Sequence, residues 1–163
     1  MTYSAVSSYN GDITLYCNLT AEKDKAGNEN IVYSSGNITT NGSIVLRNGR
    51  IGLNAYKNII IEGGSVNADV ENCALFAHTG AINISGDVTV KAGYNALEAD
   101  GDITINDVTI SGSAGYNGNF IYSQTGNIST RGNITIDAGR VGLNARKNII
   151  LCGDKFLKAC VSQ

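Results

Sequence analysis

The side chains with the most chemical reach lie on a strip that recurs along the chain. Shortly before successive Gly- or Asn-led segments, alternate positions read Arg50, Asn54 and Tyr56, then Asn72, Phe76 and His78, then Tyr94, Glu98 and Asp100. The next two sets are Phe120, Tyr122 and Gln124, with Tyr116 just upstream, and Arg140, Asn144 and Arg146. The chain holds only 8 Tyr and 3 Phe, and about half of them fall on this strip. Aromatic rings offer flat apolar surface to the C–H faces of sugars, while Arg, Asn and Gln supply planar hydrogen-bonding edges. Arg also pairs bidentately with carboxylates such as those of uronates. A long strip of this kind suits an extended polysaccharide. The same residue types also suit a plain sheet surface, where Tyr and Arg stems cover apolar area.

A second candidate is acidic. In Glu98-Ala99-Asp100-Gly101-Asp102 the carboxylates alternate, so on a strand they share a face, and hard oxygen donors beside a Gly turn suit Ca2+. A solvated acidic corner is the other reading of Glu98, Asp100 and Asp102. No nucleophile elbow, phosphate loop, dinucleotide fingerprint or zinc-protease motif occurs. A polysaccharide lyase would need a base beside a charge-neutralising group. Lys57, Lys147 and Arg146 belong to repeats away from Glu98 and Asp100, so no catalytic residue is assigned and a non-catalytic role ranks ahead of an enzyme.

A strip that recurs needs a scaffold that recurs. GNITTNGSIVLRNGRIGLNAYKNIII from Gly36 returns as GNISTRGNITIDAGRVGLNARKNIIL from Gly126, and finer copies open at Gly11, Gly36, Asn58, Gly80, Gly101, Gly126 and Asn148. Stacking the copies on these openings predicts inward columns. One reads Ile13, Ile38, Ile60, Ile82, Ile103, Ile128 and Ile150. Another reads Ile31, Leu53, Leu75, Leu97, Ile121 and Leu143. A third pairs Ile44, Val66, Val88, Val108 and Ile134 with Leu46, Ala68, Val90, Ile110 and Ile136, and a small-residue column runs Ala55, Ala77, Ala99, Ser123 and Ala145. Inward and polar positions alternate with the period of a strand. Short strands, Gly/Asn corners and no helical period predict an all-β, single-domain right-handed parallel β-helix, a β-solenoid of about six coils of roughly 22 residues. Residues 1–35 read as an N-terminal coil with a cap or insertion, 36–147 as regular coils, and 148–163 as a C-terminal coil and cap. The charged run Ala21 to Asn30 is the insertion.

Composition agrees. The chain has 163 residues, 20 Gly, 20 Asn and no Pro. Proline would delete a ladder donor, whereas Gly and Asn accept the left-handed backbone of corners. A net charge of −2 and pI near 5.3 argue against general nucleic-acid binding. No apolar run is long enough to span a bilayer as a helix, and no export signal follows Met1. Cys73 falls inward beside Ile51 and Val141 and reads as a buried thiol, while Cys152 and Cys160 are open to either a bridge or two free thiols. Sequons at Asn18, Asn37, Asn41, Asn83, Asn127 and Asn133 arise mainly where the repeat places Asn at a corner, so stacked Asn is preferred to glycosylation. Thr14, Thr39 and Thr104 are interrupted by Ile61 and Asn83, which disfavours an ice-binding Thr row. On the predicted register Ile59, Ile61, Ile149 and Leu151 point outward, an apolar patch for a terminal segment or a homodimer contact.

The run Tyr94-Asn95-Ala96-Leu97-Glu98-Ala99-Asp100-Gly101-Asp102-Ile103-Thr104-Ile105, together with Gly52-Leu53-Asn54-Ala55 and Gly142-Leu143-Asn144-Ala145, resembles the β-helical carbohydrate-binding domains of secreted clostridial and gut bacterial proteins. The resemblance covers about Gly36 to Ile150. It implies a pectate-lyase-like fold, a secreted or cell-surface location and Ca2+-assisted binding of acidic plant polysaccharides. The family places Asp directly before its Gly-Ile step, where this chain has Ile51, Cys73, Asn95, Asn119 and Val141. A structural or adhesive solenoid segment of a bacterial surface protein is the alternative function, and a polysaccharide lyase the third.

Overall fold

In the computed structural model, residues 4–23 and 29–152 are described, with the backbone of 157–161. They form strands and no helix. In chain order the strands are β1 (Val6–Ser8), β2 (Ile13–Leu15), β3 (Leu19–Glu22), β4 (Asn30–Ser34), β5 (Ile38–Thr40), β6 (Ser43–Ala55), β7 (Ile59–Ile61), β8 (Ser65–Ala77) and β9 (Ile82–Ile84). They continue as β10 (Asp87–Ala92), β11 (Leu97–Ala99), β12 (Ile103–Ala114), β13 (Asn119–Ser123), β14 (Ile128–Ala138), β15 (Val141–Ala145), β16 (Ile149–Cys152) and β17 (Leu157–Val161). All pairings among them are parallel, and each strand meets the equivalent strand of the next coil. The chain is therefore a β-solenoid of about six turns with a spacing of about 22 residues.

Each coil has three faces. The first carries β2, β5, β7, β9, residues 103–105 of β12, residues 128–131 of β14, and β16. The second carries β3, the early parts of β6 and β8, β10, the later parts of β12 and β14, and β17. The third carries β1, β4, the later parts of β6 and β8, β11, β13 and β15. Ile, Val, Leu and Ala from all three faces fill the interior, where like residues stack on like.

Asn and Asp hold the corner between the third and first faces. Asp12 Oδ1 accepts the backbone and side-chain N–H of Asn37 at 2.7 and 3.1 Å, and Asn37 Oδ1 accepts those of Asn58 at 3.2 and 2.9 Å. Asn58 Oδ1 then accepts the backbone N–H of Ala81. Asp102, Asn127 and Asn148 repeat the ladder further along. Each rung satisfies a corner amide that no strand partner reaches. Asn37 and Asn127, both within sequons, thus serve as stacked corner residues.

The Asn ladder also corrects the predicted register. Asn58 stacks on Asn37, so Lys57, not Asn58, continues the column of Gly36, as its N–H bond to the Gly36 carbonyl shows. Ile59 and Ile61 are consequently buried and Ile60 faces outward, opposite to the expectation. A slip of one residue exchanges the two faces of a strand. Ile149 likewise pairs with Ile128 and Leu151 with Thr130, both in inward columns, yet they are 45% and 54% exposed at the end of the described stack. The outward row of the first face therefore reads Thr14, Thr39, Ile60, Asn83, Thr104, Ser129 and Ile150.

Three other positions differ. Asp107, at φ 53°, is an extra residue in β12, so Ile110 and Gly112, rather than Val108 and Ile110, continue the columns of Val88 and Val90. Gly112, at φ 144°, leaves no room for a side chain: a Cβ there would lie 1.7 Å from the Val90 carbonyl oxygen. Val32, not Ile31, pairs with Leu53. Phe120, read as outward, is fully buried; the pairings Asn119–Val141 and Ile121–Leu143 bracket it opposite Gly142. At this bend two successive side chains turn inward, as with Ile31 and Val32. The small Ala74 and Ala96 occupy equivalent positions in neighbouring coils. Ala21 and Glu22, assigned to an insertion, belong to β3, while residues 24–28 lie outside the described set. β17 pairs with β14, so the solenoid continues into the segment expected to cap it.

Candidate functional site

The recurrent strip lies on the outward side of the third face. Alternation around Leu53, Leu75, Leu97, Ile121 and Leu143 turns their neighbours outward. One column therefore runs Tyr33, Asn54, Phe76, Glu98, Tyr122 and Asn144. A second column, on the side toward the Asn corner, runs Tyr56, His78, Asp100, Gln124 and Arg146, tied by backbone bonds from each residue to the coil before. Arg50, Asn72, Tyr94 and Arg140 lie at the other edge. The fold thus brings most of the residues proposed for binding onto one face, with Tyr116 upstream of it beside Gly139, Asn54 nearly buried and Phe120 withdrawn into the core.

Packing sorts the face into two halves. Toward the N-terminal coils it is aromatic: the Phe76 and His78 rings are 4.1 Å apart, and Tyr56 stacks beside His78 at 6.1 Å and 23°. His78 Nε2–H donates to Asn54 Oδ1 at 2.7 Å, and Asn54 is nearly buried under its neighbours. Partial burial lowers the His78 pKa from its ordinary value; the Glu98 carboxylate opposes this less strongly. His78 is thus held toward its neutral, hydrogen-bonding form.

Toward the C-terminal coils the face is an amide network. Glu98 accepts from Asn95 Nδ2 at 2.7 Å on one oxygen and from Gln124 Nε2 at 2.9 Å on the other. Asn95 Oδ1 accepts the backbone and side-chain N–H of Asn119, and both residues are buried. Asn119 Oδ1 in turn accepts Arg140 Nη2 at 3.0 Å and Asn144 Nδ2 at 3.2 Å. Asn95 and Asn119 occupy two of the positions where the resembling family has Asp. They fix the Arg140 head from below instead of offering charge. Tyr56, Tyr94 and Tyr116 stand exposed around this framework, as do Arg50 and Arg146.

The acidic cluster does not form a cation site. Both Glu98 oxygens are occupied by amide donors, and Asp102 Oδ1 is committed to the Asn127 rung, which holds its pKa below the usual carboxylate range. Asp102 belongs to the corner ladder and Glu98 to the face. Among the described residues no three His, Cys, Asp or Glu side chains converge on a common point. The donor set does not fit Ca2+. Cys73 is buried as expected, and burial raises its thiol pKa. Cys152 is an exposed free thiol, and the Cys160 side chain lies outside the described residues.

Two larger grooves, of about 380 and 410 Å³, lie along the outward side of the second face. Their described lining holds no aromatic residue. The row Arg47, Asp69, Lys91, Ser113 and Asp137 mixes both signs of charge with a neutral Ser, and Lys91 and Asp69 are paired at 3.5 Å. The exposed tyrosines Tyr56 and Tyr94 belong instead to the third face. Tyr9 and Tyr33 extend the aromatic half and escaped the sequence reading, because both precede the first regular copy of the strip.

No family model matches the chain, and no curated protein and no solved structure matches it. The likeness to β-helical carbohydrate-binding domains therefore rests on the repeat motif.

Proposed function

We propose that the chain is a non-catalytic polysaccharide-binding module of a secreted or cell-surface bacterial protein, with an acidic or plant-type glycan lying along the third face. The observation that carries this reading is the continuity of that face. Exposed Tyr56, Tyr94 and Tyr116 stand over a pre-ordered framework of Asn54, Asn95, Asn119 and Gln124, with Arg50, Arg140 and Arg146 at the margins. Rings supply stacking surface and the Arg heads supply planar donors for carboxylate or hydroxyl groups. The bonds among Asn119, Arg140 and Asn144 hold polar groups in place before a ligand arrives, which lowers the ordering cost of binding.

A second reading is a structural or adhesive solenoid whose coils mainly supply length. It is favoured by the exposure of Ile149, Ile150 and Leu151 at the end of the described stack, an apolar surface that a homodimer contact would cover. Ile59 and Ile61 take no part in it, since they are buried.

Affinity electrophoresis on gels containing pectin, polygalacturonate, xylan or mannan separates the two. Retardation of the wild type on at least one gel, relieved when Tyr94, Tyr116 and Arg140 are all replaced by Ala, is the expected result. Equal mobility of both proteins on every gel overturns the binding reading and leaves the structural one.

A further inference from the structure

Tyr9 and Tyr33 form a second aromatic group on the third face, apart from the Tyr94 and Arg140 region. Tyr33 is the residue of the central outward column one rung before Asn54, fixed there by the pairing of Val32 with Leu53. Tyr9 follows β1, the neighbouring strand of the same face, and is 64% exposed. Their ring centroids are 5.6 Å apart and the planes meet at 47°, so the two rings form an open angle instead of closing on each other. With Ser4 and Asn30 they line a cleft of about 220 Å³.

The chemistry of this cleft differs from that of the rest of the face. Its described lining is Ser4, Tyr9, Asn30 and Tyr33, none of them charged. Glu29, beside Asn30 in sequence, is ion-paired to Lys23. Against the described lining a uronate carboxylate would lose water without gaining a cation, which is costly. An uncharged pyranose has a C–H face for the rings and hydroxyls for Ser4 and Asn30. From Tyr33 to Glu98 is three rungs, about 14 Å at the usual strand spacing.

Resting on the binding reading above, we propose that Tyr9, Tyr33, Ser4 and Asn30 form a subsite for one uncharged pyranose ring. The Arg-bearing end of the same face takes the charged or more polar units. The ligand class is then a glycan containing neutral residues, not an unbroken polyuronate.

Titration calorimetry with cellopentaose, xylopentaose, mannopentaose and pentagalacturonate tests this on the full chain. Tyr33→Ala and Tyr9→Ala are each expected to weaken at least one neutral pentasaccharide roughly tenfold, the range of a lost aromatic contact. Tyr33→Phe keeps the ring and should retain most of the affinity, while any binding of pentagalacturonate should be unchanged. Tyr9 is exposed, so its replacement keeps the test valid if Tyr33→Ala does not fold. A neutral pentasaccharide that binds wild type and Tyr9→Ala alike, or binding of pentagalacturonate alone, overturns the subsite and leaves the face reading standing. If no pentasaccharide binds but a polysaccharide gel still retards the chain, the subsite again falls alone. If nothing binds in either format, both readings fall.

Discussion

His78 shows how the face tunes a single residue. Its ring lies between Phe76 and Tyr56 and donates to Asn54, and burial lowers its pKa from the ordinary value of 6.5. Between that lowered value and 6.5 the unfolded chain binds a proton that the folded chain does not, so stability rises with pH across this window. We expect unfolding midpoints in urea to fall as the pH is lowered from about 7 through 6.5, and to level off below the folded-state value. His78→Asn should remove that slope; a slope that persists unchanged would exclude His78 as its source. Asp12 and Asp102 titrate lower. Their depressed carboxylates support the fold above the ordinary Asp value of 3.8, and that support is lost as pH falls below it. The two effects are therefore separable along the pH axis. The carboxyl and amide types on this face were legible in the sequence, but their partners were not. Nothing in the spacing of Glu98 shows that Asn95 and Gln124 each donate to one of its oxygens, or that Asp102 belongs to the corner ladder instead of the face.

At the scale of the strand, register decides which residues are core. β7 is three consecutive Ile, so hydropathy could not choose between Ile60 and the pair Ile59 and Ile61. The choice is made outside the strand, at the Asn corner, where Asn58 takes the rung above Asn37. Ile59→Ala should therefore cost about 2–5 kcal/mol, the range for truncating a buried Ile. Ile60→Thr, which restores the Thr of the preceding coil, should stay within about 0.5 kcal/mol of wild type. Chemical denaturation of the two variants checks this directly; the reverse order would mean that the strand pairs one residue out of the register described. β12 makes the same point differently. Its extra residue, Asp107, moves Gly112 into the interior column beneath Ile136, a position that simple repeat counting gives to Ile110.

The whole molecule is a stack in which a coil touches mainly its neighbours, so the cost of a defect depends on where in the stack it lies. Leu75 is fully buried between Leu53 and Leu97, whereas Leu143, in the same column, is only half-buried near the end of the described stack. Leu75→Ala should cost about 2–5 kcal/mol and Leu143→Ala less than half of that. Equal losses in urea denaturation would show that the terminal coil is covered as fully as the central ones. The sequence by itself determined the all-β solenoid, its period and the gathering of Tyr, Arg and Asn on one face. A repeat that stacks like on like writes those features as columns, and the absence of Pro and abundance of Gly and Asn follow from them. Only the tertiary structure decided the register within each column, the withdrawal of Phe120, the hydrogen-bond partners of Glu98 and Asp102 and the exposure of Ile149 to Leu151. Those outcomes depend on bonds between residues 21 to 26 positions apart, where one residue more or less in a corner reverses a face.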